Sequence, residues 1–221
     1  MILDLDIIKI MLSAEYNKDF KELTKDIIFN PIVSYTTRPK RESETEGIEH
    51  YFISNEEADN LLANNDTLAY TKIGDNRYFS LYNQLKSQNV YIIDPSGIED
   101  LNYRYPEMEK CIIYIYSNYT NRMNRYTNRS SECTVIDFEK RNAAENDQFN
   151  RFESNITSIS NIYKITNNSP YIITTMMTVS KHIIDTYKPN ILYCIVGRTS
   201  SGKDTIVRNL VKLFDKKEVE L

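Results

Sequence analysis

A three-layer α/β domain built on a parallel sheet is the fold the sequence predicts, and three observations predict it. Short apolar runs at residues 32–34, 90–94, 111–116, 162–165 and 191–196 alternate with longer segments of helical period. The connections between them are short, as in sheets whose strands return through helices. The last run leads through Gly197-Arg-Thr-Ser-Ser-Gly202-Lys203 into a segment with Ile206, Val207, Leu210, Val211 and Phe214 at helical spacing. That is a strand, a glycine-pinched loop and an amphipathic helix in succession.

Residues 1–28 carry Ile7, Ile8, Met11, Leu12, Phe20, Leu23, Ile27 and Ile28 at a largely helical period. They predict one or two helices packed on the core, and residues 1–30 are set apart as an N-terminal helical extension without chemistry. A short β-rich run then opens into a loop holding Arg38 and Arg41, stiffened by Pro39. Two guanidinium groups at that spacing suit a bidentate grip on a phosphate. Residues 47–54 predict a further strand, and Ser54 with Glu57 a capping box for a helix through about Asn64. Asp94 ends an apolar run at the carboxyl edge of a parallel strand, where open α/β sheets place ligands.

The stretch Gly197, Arg198, Thr199, Ser200, Ser201, Gly202, Lys203, Asp204 and Thr205 is the strongest chemical signal. Its glycines let successive backbone N–H groups turn inward toward a phosphate, and the following helix adds its partial positive charge. Lys203 is placed to reach β- and γ-phosphates, so a nucleoside triphosphate is the expected ligand. Asp204 stands where a Ser or Thr hydroxyl normally meets Mg²⁺, with Thr205 next. A carboxylate can hold that ion directly or through water.

Composition narrows the remaining classes. At 221 residues the chain can bury one core with inserted subdomains, and 41% hydrophobic with 26% charged residues is globular usage. A net charge of −4 offers a polyanion no bulk attraction, so no nucleic-acid partner is expected. Cys111, Cys133 and Cys194 are odd in number and far apart, which predicts reduced thiols rather than a disulfide frame or a zinc site. No apolar stretch reaches the length of a membrane span and the N-terminus lacks a basic-then-apolar leader, so a cytoplasmic protein is expected. Oligomeric state is not encoded in any of these features.

Several stretches together resemble guanylate kinases. Ser34-x-Thr-Thr-Arg38-Pro-x-Arg41 followed by Gly47-x-Glu-x-x-Phe-x-Ser54 is similar to that family's nucleotide-monophosphate-binding region. Asn76-Arg-Tyr78-Phe-Ser80 resembles its Asn-Tyr-Tyr-Gly-Ser loop, and Tyr91-Ile-Ile-Asp94-Pro-Ser-Gly97 its strand ending in Asp-x-x-Gly. Arg122, Arg125 and Arg129, then Lys140-Arg141-Asn-Ala-Ala-Glu145, resemble its arginine-bearing lid and the helix after it.

The resemblance implies a P-loop kinase core with an inserted acceptor-binding subdomain at about 37–85 and a helical lid at about 118–141. It implies Mg²⁺-dependent transfer from ATP to a nucleoside or deoxynucleoside monophosphate. Arg38, Arg41 and Tyr78 would hold the acceptor's phosphate, with His50 at a position where the family has tyrosine. Ser34 and Ser80 would line the acceptor site, and Asp94 would contact the nucleoside or order water beside Mg²⁺. Lys203, Arg125, Arg129 and Arg141 would neutralise the transferring group, while Arg122 is left as a surface lid charge. Asp204 and Thr205 would hold the metal.

Two departures qualify the resemblance. Ala69 and Ile92 stand where acidic residues read guanine in the family, which implies relaxed, altered or absent guanine specificity. The segments also run in shifted cyclic order with the P-loop at the C-terminal end, which implies a circular permutation; a second domain begun by the P-loop is the rival. Two other functions stay open: a binding module that has lost catalysis, and a P-loop kinase of another small phosphate. Retention of Gly197, Gly202 and Lys203 favours the enzyme over the module.

Overall fold

The last strand of the chain stands inside its main sheet. The computed structural model describes residues 3–42 and 44–215. In chain order come α1 (Leu5–Tyr16), α2 (Phe20–Thr24), β1 (Tyr35–Thr36), β2 (Tyr51–Phe52), α3 (Asn55–Asn64), β3 (Thr67–Ile73) and β4 (Asn76–Leu81). Then follow β5 (Val90–Ile92), α4 (Pro95–Arg104), β6 (Lys110–Tyr116), α5 (Tyr119–Thr127), α6 (Val135–Ser154), β7 (Ile162–Thr166), α7 (Ile172–Thr186), β8 (Leu192–Val196) and α8 (Lys203–Phe214).

The main sheet has the order β5-β8-β6-β7, with every pair parallel. Its strands are apolar runs because both faces are covered. Along β8, Tyr193 and Ile195 face one layer and Leu192, Cys194 and Val196 the other. The first layer is α1, α7 and α8, through Ile8, Leu12, Val179, Ile183, Ile206 and Leu210. The second is α4 and α6, through Ile98, Leu101, Phe149 and Phe152. The α/β fold expected from the sequence is the fold observed.

A smaller mixed sheet, β2-β1-β4-β3, packs with α3 around Ala58, Phe79 and Leu81. The capping box of α3 forms as expected: Glu57 N–H donates to Ser54 Oγ (3.1 Å), and Ser54 N–H to Glu57 Oε2 (2.8 Å). Two strand expectations need correction. Residues 32–34 make no strand of their own; Pro31 bridges to Val90, Ile32 N–H donates to Val90 O (2.7 Å), and the chain then joins the smaller sheet as β1. Proline brings no N–H to extend that ladder. The strand expected over 47–54 shrinks to β2, because the chain turns at Gly47 (φ +74°) and Gly47 N–H closes on His50 O.

The N-terminal helices are part of the core. Ile8 and Leu12 are fully buried. Tyr16 donates to Asp185 Oδ1 (2.6 Å) on α7, and the Phe20 and Phe29 rings lie 6.4 and 5.6 Å from that of Phe214 at the end of α8. The three cysteines are free thiols, two of them buried. Among the described residues no helix is long and apolar enough to cross a membrane.

Candidate functional site

The carboxyl ends of the parallel strands converge on the loop that follows β8. Gly202 (φ +96°) caps α8 in the left-handed region, and a Cβ there would meet Asn167 Nδ2 at 2.5 Å. A Cβ on Gly197 would stand 2.4 Å from Ser201 Oγ and 2.7 Å from Ile115 O. Both positions therefore need glycine. Ser200 takes a left-handed conformation without that freedom (φ +61°), at a cost of about 1–2 kcal/mol. The hydroxyls of Ser200 and Ser201 are buried and have no hydrogen-bond partner among the described residues. Orphaned hydroxyls in a strained loop at a helix N-terminus fit an anion, which would take up both.

The loop is braced from two sides. Asn167 Nδ2 donates to Ser201 O (2.8 Å), and Thr175 Oγ1 holds that amide through Asn167 Oδ1 (2.9 Å). Arg125 donates to Ser117 Oγ (3.2 Å), Ser201 O (3.2 Å) and Asn167 O (2.7 Å). On the other side, Glu145 of α6 accepts from Thr199 N–H (2.9 Å) and Thr199 Oγ1 (3.1 Å). Arg198 donates to Glu153 (3.0 Å), Asn146 (2.9 Å) and Asn150 (2.8 Å) of α6, its guanidinium 5.1 Å from the Phe149 ring centre.

Three expectations change here. Arg122 is no surface charge but is 4% exposed, donating to Glu145 (3.3 Å), Asn142 (2.8 Å) and Thr199 O (3.4 Å). Arg125 spends its hydrogen bonds on the Ser117 hydroxyl and the Ser201 and Asn167 carbonyls instead of reaching freely over the phosphates. Arg198 and Thr199 are turned onto the polar face of α6, since a nearly buried guanidinium needs that row of carboxylate and amides.

Lys203 begins α8, with Nζ 3.9 Å from Asp204 Oδ2. Desolvation pushes the Asp204 carboxyl up, but the charges of Lys203, Arg129 and Arg208 outweigh it and hold the group below its ordinary value. Asp204 is thus ionised at neutral pH. Its side chain is half exposed, and Thr205 beside it is exposed. An ionised carboxylate with an adjacent hydroxyl is a donor set that suits Mg²⁺.

Across from this loop lie the two arginines. Arg38 grips Glu44 with both prongs (Nη1–Oε2 2.7 Å, Nη2–Oε1 2.6 Å), and both side chains are about nine-tenths buried. Arg41 N–H donates to the same carboxylate (2.9 Å), while its half-exposed guanidinium makes only a 3.4 Å contact to it. Desolvation and the charges of Arg38 and of Arg141 on α6 together lower the Arg41 pKa. Glu44 was not singled out by sequence reasoning. Its only signal was an acid three residues after Arg41 in a loop with two further acids.

Burial opposes the Glu44 charge, but Arg38 and the Arg41 N–H pull its carboxyl down to about 2 from 4.5. A depressed pKa contributes stability that is complete above the unfolded value and lost as pH falls. Urea unfolding midpoints of the wild type should therefore drop between pH 4.5 and about 2 more steeply than those of Glu44→Gln. Parallel profiles for the two proteins would show that Glu44 contributes nothing to acid sensitivity.

A cavity of about 90 Å³ opens between the two sheets and gathers Ser34, His50, Tyr78 and Asp94, with Ala69 and Ile92 in its wall. His50 Nδ1 lies 2.8 Å from Ser34 Oγ, and its ring meets Tyr78 and Phe52 edge-on. Desolvation and the Arg38 charge lower the His50 pKa, so the imidazole is neutral at pH 7 rather than a cationic phosphate donor. Asp94 is the N-cap of α4: Oδ1 accepts from Gly97 N–H (2.7 Å) and Thr71 Oγ1 (3.3 Å), and burial raises its pKa. Ser80 is fully buried beside the Tyr91 hydroxyl and does not line this cavity, because β4 turns residues 79–81 into the core. A larger cavity of about 760 Å³, between Tyr82, Tyr105 and Ile191, lies at the opposite ends of the strands and contains none of these groups.

These features define a class: an α/β protein whose glycine loop heads a helix at the carboxyl edge of a parallel sheet, beside a cleft holding two arginines. The family model described as guanylate kinase matches residues 17–164, more than half of the chain. The chain belongs to the guanylate kinase family. The match begins inside the stretch set apart as an extension and ends before β8.

Guanylate kinase of Thermobifida fusca is 48% identical over 46 residues, covering 21% of this chain and 24% of that protein. That of Streptomyces coelicolor is 29% identical over 118 residues, 51% and 59% of the two chains. The matched stretches thus span less than two thirds of these curated relatives. The crystal structure of guanylate kinase from Anaplasma phagocytophilum superposes with a TM-score of 0.49 at 18% identity, covering 77% of this chain and 82% of that one.

Proposed function

We propose that the chain transfers the γ-phosphoryl group of ATP, with Mg²⁺, to the phosphate of a nucleoside or deoxynucleoside monophosphate. The observation that supports this best is the mutual placement of two anion sites. The glycine loop with its orphaned hydroxyls fits the donor's phosphates, and the Arg38–Arg41 cleft fits the acceptor's. The helix that follows the glycine loop touches the segment carrying the acceptor arginines, since Arg208 of α8 donates to Glu49 Oε1 (3.1 Å) just after that loop.

The roles follow from the chemistry. Ser200, Ser201 and the α8 N-terminus receive the donor's phosphates, and Lys203 reaches the β/γ oxygens. Arg38 and Arg41, with Tyr78 beside Arg38, hold the acceptor. Arg129 and Arg141 neutralise charge on the equatorial oxygens of the group in transit. Asp204 and Thr205 would hold Mg²⁺, which when bound neutralises and orients the β- and γ-oxygens. Braced by Arg122, Arg125 and Arg198, the loop keeps its shape without help from the substrate, which is the preorganisation transfer requires.

The acceptor's base meets the apolar wall of Ala69 and Ile92, with Asp94 already engaged in capping α4. We therefore expect weak discrimination among bases, without the roughly 10⁴-fold preference that a buried polar match gives. A coupled diphosphate-formation assay across the common NMPs and dNMPs tests both statements. No diphosphate from any acceptor would sink the kinase; strict guanine selectivity would sink the relaxed pocket.

We also propose that the chain is a circular permutant of its family's order. Supporting this are the position of β8 inside the sheet and the 5.6 Å contact between Phe29 and Phe214, which brings the end of α8 beside the entry to residue 31. Leu221 lies outside the described residues. A chain rebuilt to start near Pro189, run through residue 221 and a short Gly/Ser linker to about Asn30, and end near Lys188 should fold and bind ATP. Closure costs little because loop entropy grows with the logarithm of length. Losing Ile8 and Leu12 from the core should lower stability by roughly 1.5–3 kcal/mol each. A folded, soluble rebuilt chain that fails to bind ATP would overturn the permutation and favour a separate domain for the glycine loop.

A further inference from the structure

One aromatic ring lies under two of the arginines that the kinase reading assigns to the transferring phosphate. Tyr126 is 4% exposed and closes α5 onto α6, packed 5.7 Å from Phe138. The guanidinium of Arg129 lies 5.6 Å from the centre of its ring, and that of Arg141 5.4 Å. Both arginines are exposed, and among the described residues neither head has a hydrogen bond or ion pair that would fix it as Glu145 fixes Arg122. For these two cations the ring face is the contact in evidence, and a guanidinium held over a ring within about 6 Å is attracted by its quadrupole.

The two arginines serve opposite sides of the cleft. Arg129 extends from the end of α5 and its charge reaches Asp204 at the head of α8, while Arg141 on α6 acts on Arg41 in the acceptor loop. The geometry points to Tyr126 as a positioning residue that aligns a donor-side and an acceptor-side arginine on one ring, so that both converge on the phosphoryl group between them. This rests on the kinase reading of the site. Long exposed arginine side chains otherwise hold many rotamers, and their ordering would have to be supplied by the substrates at each turnover.

Two measurements test it. In the diphosphate assay, Tyr126→Leu should lower kcat by roughly 10- to 10²-fold with both KM values within about twofold, because the ordering matters mainly at the transition state. Tyr126→Phe keeps the ring face and should restore kcat to near the wild-type value; should the Leu variant fold poorly, Tyr126→Met removes the ring with an unbranched side chain nearer to Tyr in length and able to adapt to the gap. Separately, in ¹⁵N-arginine-labelled wild-type protein, the side-chain Nε–H signals of Arg129 and Arg141, assigned through Arg129→Lys and Arg141→Lys, should be displaced upfield by the ring and keep that displacement in Tyr126→Phe. Undisplaced signals, or a folded ring-less variant with wild-type kcat, overturn the proposal. Equal loss of kcat in the Phe and Leu variants also overturns it, since it would transfer the effect to the hydroxyl. A wild-type protein that makes no diphosphate sinks the kinase reading and the transfer role together, while the arginine signals still decide the placement.

Discussion

Lys203→Ala is expected to lower phosphoryl transfer by more than about 10²-fold while leaving the fold intact. The ammonium begins α8, is partly exposed and pairs only loosely, at 3.9 Å, with Asp204. Its removal opens no cavity, and substitutions of that kind usually shift stability by less than about 0.5 kcal/mol. The whole effect should therefore fall on a step in which negative charge gathers on the β/γ oxygens. Thermal melts beside the diphosphate assay separate the cases: turnover at the wild-type rate would remove the main support for a kinase.

Arg41→Ala should raise the acceptor's KM by roughly 10- to 10²-fold and leave that for ATP nearly unchanged, since a charge-assisted contact is worth roughly 1.5–3 kcal/mol. Arg41 is the better probe of the two cleft arginines. Its guanidinium is half exposed and its 3.4 Å contact to Glu44 is long. Removing Arg38 would instead strand the buried Glu44 carboxylate, and the loss of structure would mask the loss of binding. Equal increases in both KM values would mean that the cleft does not receive the acceptor.

What the sequence could reveal depended on how local the cause was. The run ending at Val196 reads as a buried strand because five successive apolar residues leave no exposed face. Gly197 and Gly202 read as a tight loop because no Cβ fits there, and Ser54 with Glu57 is legible because both halves of the capping box lie within one turn. The missed features are long-range. Arg198 meets Glu153 across 45 positions in the chain, and Arg122 meets Thr199 across 77. No spacing rule connects such partners, so the sequence assigns Arg198 to the triphosphate and Arg122 to the lid surface. Asp94 carries both a local and a long-range role: its cap to Gly97 lies within one turn, while the fold also sets it in the cavity with Ser34, His50 and Tyr78.

The place of β8 between β5 and β6 also bears on how the protein is made. During synthesis both neighbours leave the ribosome well before residues 192–196, and in the native order neither pairs with the other, because β8 stands between them. Until the central strand inserts, each presents an unpaired edge flanked by apolar faces, the kind of surface that recruits other chains. A ribosome stalled before residue 192 would thus release a product with no closed sheet and no glycine loop. Nascent chains should bind holdase chaperones up to that length and let go once α8 has emerged, so that quality control and completion of the nucleotide site coincide in a single insertion event.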